Sequence, residues 1–263
     1  MTKIKQGYKF NTININSVVV YGIVNSRRLG KSLGINLFSD EVKGCNFDCV
    51  YCQYGRTHFS RNSFLQYKYI TTEIQNYFEQ IAYNNIHIDY ITLAGNGEPT
   101  LHPKFKEIVD FILQCRNKLL PNIPISIFTN ATLLGDKNIR EIVNKIDKRF
   151  VKLDASNQKS FVKLGGKGDF HKISNDILKT SQEYTIEIST AVIKNPEHFS
   201  NYNQIQSIEF ANVINIIKPS KLILYSINKT PAEIDIEKIS KKELFTLKKV
   251  LINKISCPIQ ILE

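Results

Sequence analysis

The chain has 263 residues, 42% hydrophobic and 22% charged, with a formal net charge of +11. Such a composition is globular, with core enough for one α/β barrel or two small domains, and no stretch nears the ~18–20 apolar residues of a membrane-spanning helix. The opening MTKIKQGYKFNTINI lacks a signal peptide's apolar run and cleavage site, so a reducing cytoplasm and no membrane are expected.

Taken in chain order, INSVVVYGIV (15–24) predicts a strand or hairpin, and SRRLGKS (26–32) a basic loop. GINLFS (34–39) predicts the first of six short β-rich runs. The second is YITLAG (90–95), after a helical segment whose Ile74, Tyr77, Phe78 and Ile81 share a face. A second helix aligns Phe105, Ile108, Val109, Ile112 and Cys115 before ISIFTN (125–130). Helical segments at 136–147, 170–183 and 200–217 separate FVKLDAS (150–156), IEISTAVI (186–193) and KLILYSI (221–227). A final helix near 240–254 is expected to bury Leu244, Leu247, Val250 and Leu251, and a terminal strand to alternate Cys257 with Ile255, Ile259 and Ile261.

Strands alternating with helices predict βαβ units and a parallel sheet, either doubly wound or a partial barrel, in one domain. Chemistry in such folds gathers at the carboxyl ends of the strands. There the sequence places GCNFDCVYCQYG (44–55), GNGEPTLHP (95–103), TNAT (129–132) and DAS (154–156). Four loops thus supply one site.

Cys45, Cys49 and Cys52 crowd three of the five cysteines into eight residues, a spacing that serves metal ligation better than disulfides. One reading is a closed zinc site with His58 as fourth ligand. The other is a [4Fe-4S] cluster held by three thiolates, with one iron open to a small molecule. Cys115 and Cys257 read as buried structural residues, so no second cluster is expected.

The pattern CxxxCxYC after a first β-strand, with Tyr51 before the last cysteine, resembles the radical S-adenosylmethionine (SAM) superfamily. GNGEP is similar to its GGEP element, with Asn96 in place of the first glycine, followed by Gly97, Glu98 and Pro99. YGIVNSRRLGKSLGINL, FTNATLL and VKLDAS extend the resemblance to a wyosine-synthetase-like, single-cluster iron–sulfur group, from about Tyr21 to past Pro231. It implies a partial (β/α)6 barrel: an N-terminal strand extension at 1–33, a barrel core at 34–228, and a C-terminal helix and strand at 229–263.

The same resemblance implies a [4Fe-4S] cluster on the three cysteines and SAM as cofactor, cleaved reductively to a 5′-deoxyadenosyl radical. Tyr51, Asn96, Gly97 and Glu98 would then border SAM, with Glu98 as countercharge for its ammonium. Thr129, Asn130, Asp154 and Ser156 could hold its carboxylate and ribose or instead satisfy turn backbone. Tyr225 could flank adenine or be a structural tyrosine.

Arg27 and Arg28, in a basic first 70 residues, could grip a substrate phosphate or form a solvated loop. The nearby lysines could dock a flavodoxin or ferredoxin that supplies the electron. Three readings follow: a radical SAM enzyme modifying a base of tRNA or another nucleic acid, one acting on a small metabolite or on a protein (glycyl-radical activation included), and a non-enzymatic, zinc-stabilised nucleic-acid-binding module.

Overall fold

The computed structural model describes residues 17–57, 63–194, 200–228, 231 and 236–263. His58, the candidate zinc ligand, and the first two residues of the 15–24 segment lie outside them. Strands β1 (Val20–Ser26) and β2 (Gly30–Ile35) form an antiparallel hairpin with Val24 opposite Ser32. Parallel strands follow: β3 (Tyr90–Leu93), β4 (Ile125–Thr129), β5 (Lys148–Lys152), β6 (Glu187–Ala191) and β8 (Lys221–Tyr225). Strand β10 (Ile259–Leu262) adds to β8 in parallel, giving one sheet in the order β1-β2-β3-β4-β5-β6-β8-β10. A small antiparallel pair, β7 (Ile193–Lys194) with β9 (Glu237–Lys238), stands apart. The parallel run from β2 to β8 is the predicted partial (β/α)6 barrel, preceded by the short strand β1.

Helices α1 (Tyr67–Tyr83), α2 (Phe105–Leu119), α3 (Lys137–Asn144) and α5 (Phe170–Glu183) cross between strands as their apolar spacing predicts. Ile74, Tyr77, Phe78 and Ile81 of α1 and all five named residues of α2 are buried. The structure departs from expectation in four places. The first barrel strand starts at Gly30, so a boundary at residue 34 would cut through it. A short helix α4 (Gln158–Lys163) follows DAS, capped by the Asn157 side chain. The 200–217 segment is two helices, α6 (Tyr202–Ile205) and α7 (Ile208–Ile217), because Ser207 caps the second by accepting from Phe210 N. Helix α8 (Lys241–Leu251) buries Leu244, Leu247 and Leu251, but Val250 only in part.

Alternation along each strand gives the sheet two unlike faces. Leu33, Ile35, Ile91, Leu93, Ile125 and Ile127 join the helices' aliphatic side chains in the main core. The opposite face carries Ser32, Thr92, Ser126, Lys152 and Ser189, with Thr92 directly opposite Ser126 and Lys152 directly opposite Ser189. Ser32, Thr92 and Ser126 are linked hydroxyl to hydroxyl at 2.5 and 2.8 Å. This polar face is concave. Leu29, at the hairpin tip, meets Phe150, Ile223 and Leu262 in a second small core, so the first and last strands curl towards each other.

Candidate active site

The cysteine loop closes over the carboxyl ends of the strands and is tied down on three sides. Towards β3, Gly44 N donates to Asn96 O and Glu98 N to Gly44 O, both at 2.9 Å. Gly97 must be glycine there: a Cβ would lie 2.2 Å from Gly44 O. Towards α4, Asp48 N donates to Gly165 O at 2.8 Å and Val50 N to Leu164 O at 3.3 Å. Gly165 has φ +87°, and a Cβ would lie 1.8 Å from Asp48 O. At Asp48, Thr57 N and Lys167 Nζ, the latter from the segment after α4, bond the carboxylate at 2.6 Å each. Burial alone would raise Asp48, but the Lys167 and Thr57 hydrogen bonds outweigh it and hold the carboxyl well below its usual range.

Cys45, Cys49 and Cys52 are unpaired and partly buried. Burial pushes the Cys45 thiol up to about 12 and raises Cys49 as well. Thiols so desolvated need a cation to displace their protons. Two donors reach Cys45 Sγ: Phe47 N at 3.4 Å and Asn130 Nδ2 at 3.7 Å. The Asn130 amide is fixed in orientation. Its Nδ2 also donates to Asn46 Oδ1 at 2.7 Å, and its Oδ1 accepts from Thr132 N and Oγ1 at 3.1 and 2.7 Å.

Glu98 is 2% exposed, and its carboxylate binds protein rather than facing the lumen. Oε1 accepts from Thr100 Oγ1 at 2.6 Å and Thr129 Oγ1 at 2.7 Å, while Oε2 accepts from Asn130 N at 2.6 Å. It thereby locks the GNGEP loop to TNAT, whose Ala131 takes φ +70°. Burial raises the Glu98 carboxyl, opposed by these same bonds. Asn96 Nδ2 donates to the carbonyls of Ser39 and Val42, which leaves its buried Oδ1 without a partner.

Asp154 gathers the ends of β5 and β6 and the cysteine loop around one carboxylate. Its Oδ2 accepts from the Tyr51 hydroxyl and Lys152 Nζ, and its Oδ1 from Ala191 N at 2.8 Å. Burial alone would lower the Lys152 ammonium, but Asp154 and Cys49 beside it hold it above its ordinary value. Burial and then Asp154 push the Tyr51 hydroxyl well up. Ser156 turns the other way: its hydroxyl donates to Glu209 Oε2 of α7 at 2.8 Å and accepts from Gln204 at 3.0 Å. The hydroxyl expected on SAM therefore ties β5 to the outer helices.

A model of the radical SAM superfamily matches residues 42–197, more than half of the chain. The UPF0026 protein slr1464 of Synechocystis is 34% identical over 81% of this chain and 76% of its own length. A protein named GTPase Obg from Brachyspira hyodysenteriae is 29% identical over 92% of this chain. The present chain spans only 34% of that protein. Among solved structures, a radical SAM methyltransferase from Sphaerobacter thermophilus superposes with a TM-score of 0.66, 14% identity and coverage of 88% of this chain and 65% of that one. Archaeal TYW1 gives 0.52, with 16% identity over 78% and 69%. These two show the fold.

The chain belongs to the radical SAM superfamily. It is a SAM-dependent iron–sulfur enzyme, a finding that displaces the reading as a zinc-stabilised binding module. Among the described residues no helix is long and apolar enough to cross a membrane. In this superfamily member, the structure gathers Cys45, Cys49, Cys52, Tyr51, Asn96, Gly97, Glu98, Thr129, Asn130 and Asp154 around one cysteine loop, and sets Ser156 aside.

Arg27 and Arg28 do not form a solvated loop. They stand at the hairpin tip, at the amino end of β2, and their side chains cross the concave face. Arg27 Nη2 donates to Ser226 O at 3.2 Å, and Arg28 Nη2 to Ser189 Oγ at 3.0 Å. The Arg28 guanidinium lies 4.2 Å from the centroid of the Tyr225 ring and 5.3 Å from that of Phe128. Asn46, Lys152 and Gly165 belong to the site without having been singled out from sequence. The signal for Lys152 was present, as a charged residue at the carboxyl end of a strand, two positions before Asp154.

Proposed function

We propose that Cys45, Cys49 and Cys52 hold a [4Fe-4S] cluster with one iron free of protein ligands, and that the enzyme cleaves SAM reductively on it. The observation that carries this reading is one loop bearing three partly buried thiols, pinned by backbone bonds to both neighbouring loops. Among the described residues no three His, Cys, Asp or Glu are gathered as a single-ion site. Thiolates that each bind a different iron of a cubane need no such gathering. When bound, the cluster and SAM supply an electron and a 5′-deoxyadenosyl radical; the protein positions them and excludes water.

The chain's own groups fit that task. Asn96 Oδ1, a buried acceptor held by its own amide's two bonds, suits the SAM ammonium at the position where the resembling motif has glycine. Glu98 acts one step back by fixing the loops that carry Asn96 and Asn130. Lys152 places a positive charge beside Cys49, which favours a reduced, more negative cluster. Tyr51, anchored by Asp154, closes the loop over the barrel.

For the substrate, the net charge of +11 supports a base in tRNA or another nucleic acid, and a flavodoxin or ferredoxin fits as an acidic electron donor. The test is anaerobic reconstitution followed by iron and acid-labile sulfide analysis. About four of each per chain is the expected content. Stoichiometric zinc and no sulfide in protein purified without oxygen would overturn the proposal. Copurified RNA, released as salt rises, would support the nucleic-acid substrate. RNA-free protein with no RNA affinity at low salt would contradict it.

A further inference from the structure

Among the described residues, Arg149 and Arg28 are both drawn inside, and they are treated differently. Arg149, 9% exposed, is architectural: Nε donates to Val143 O at 2.9 Å, Nη1 to Thr185 O at 3.0 Å, and Nη2 to Asn144 O. Each nitrogen has a carbonyl. Arg28 has the Ser189 hydroxyl and two aromatic rings, and its Nε is buried with no partner. Arg27 beside it leaves Nη1 buried and unpartnered too. The concave-face acids have nearer partners: Glu187 pairs with Lys148 and Lys221 at 3.2 and 3.7 Å and attracts Arg28 only from a distance, while Asp154 pairs with Lys152. Among the described residues no carboxylate forms an ion pair with Arg28.

A desolvated guanidinium cannot shed its proton, so leaving it uncompensated costs stability unless something else supplies the negative charge. Tyr225 and Phe128 flank its plane, and its Nε is left buried without a hydrogen-bond partner. The lumen is the polar concave face under the cysteine loop. We propose that Arg28 binds an anionic group of the substrate, a carboxylate or a phosphate, inside the barrel, with Arg27 as a second donor at the rim. The inference rests on the radical SAM reading, since that reading makes the concave face a substrate chamber. It narrows the substrate to one carrying such an anion close to the atom attacked.

The test is thermal unfolding of the reconstituted protein at constant ionic strength, in chloride, inorganic phosphate or acetate. Phosphate or acetate is expected to raise the melting temperature in a saturable way, as a ligand of the native state must. The more effective of the two identifies the anion class. In Arg28→Met the anion-dependent shift should vanish, while the melting temperature in chloride stays level or rises and iron and sulfide content is kept. Arg149→Met serves as the architectural comparison and should melt lower. No shift from either anion in the parent protein overturns the proposal. So does a shift that survives in Arg28→Met, or an Arg28→Met chain that unfolds or melts as low as Arg149→Met. A parent protein that takes up no iron–sulfur cluster would instead defeat the radical SAM reading, and iron and sulfide analysis reads that outcome separately.

Discussion

Cys45 receives two N–H donors, and its neighbour Asn130 has an amide that cannot flip without breaking its bonds to Thr132. Hydrogen bonds to a cluster's sulfurs withdraw charge and raise its potential. Asn130→Leu is therefore expected to keep the cluster and shift its midpoint potential to a more negative value, measured by redox titration with EPR. An unchanged potential would mean that this contact does not tune the site. Cys45→Ala, Cys49→Ala and Cys52→Ala should each abolish the cluster, and Cys115→Ala and Cys257→Ala should each retain it, as read from iron content. Glu98→Ala removes the acceptor for Thr100, Thr129 and Asn130 and should cost roughly 3 kcal/mol of stability. Denaturant unfolding checks this, and a loss confined to SAM affinity would return Glu98 to direct contact with the cofactor. The cysteines were legible in sequence because thiol spacing is itself the chemistry. Glu98's structural role was not, since nothing in GNGEP reveals that Thr129 and Asn130 fold back onto it.

At the scale of elements, the loops after β2, β3 and α4 work as one assembly because backbone meets backbone at Gly44, Gly97 and Gly165. Gly165→Ala forces a Cβ into the Asp48 carbonyl at a positive φ. It should lose the cluster while far-ultraviolet circular dichroism keeps its native helix signal. Retained iron would show that the cysteine loop does not depend on that turn. Helix α8 offers a pH test. The Lys194 ammonium and the Ser240 capping bonds hold the Glu243 carboxyl at about 2, below its ordinary 4.5. A depressed carboxyl stabilises the fold above its unfolded value and loses that contribution as pH falls through the folded one. Glu243→Gln should therefore melt below the parent at neutral pH and converge with it near pH 2, by a small amount because the pair is part-exposed. A gap of constant size at all pH values would contradict this. Strands and long helices followed from apolar periodicity, whereas the α6–α7 break and α4 rest on single capping residues, Ser207 and Asn157, inside segments that read as continuous helix or loop.

Over the whole molecule, one sheet separates an aliphatic outer face from a polar concave one, and the hairpin tip reaches across the concavity to β6 and β8. The parallel sheet could be read from the alternation of strands and helices, and its barrel form from the family resemblance of the motifs. The crossing of Arg28 could not, because it depends on the curl of the sheet, which brings residues from opposite ends of the chain together. The same curl brings Asn96, Asn130, Lys152 and the three cysteines to one mouth, where SAM cleavage would take place. The most direct test is to mix reconstituted, dithionite-reduced protein with SAM and separate the products by liquid chromatography and mass spectrometry. The account predicts 5′-deoxyadenosine and methionine in equal amounts, both absent from Cys49→Ala. Intact SAM after incubation with protein that carries a full, reducible cluster would contradict it.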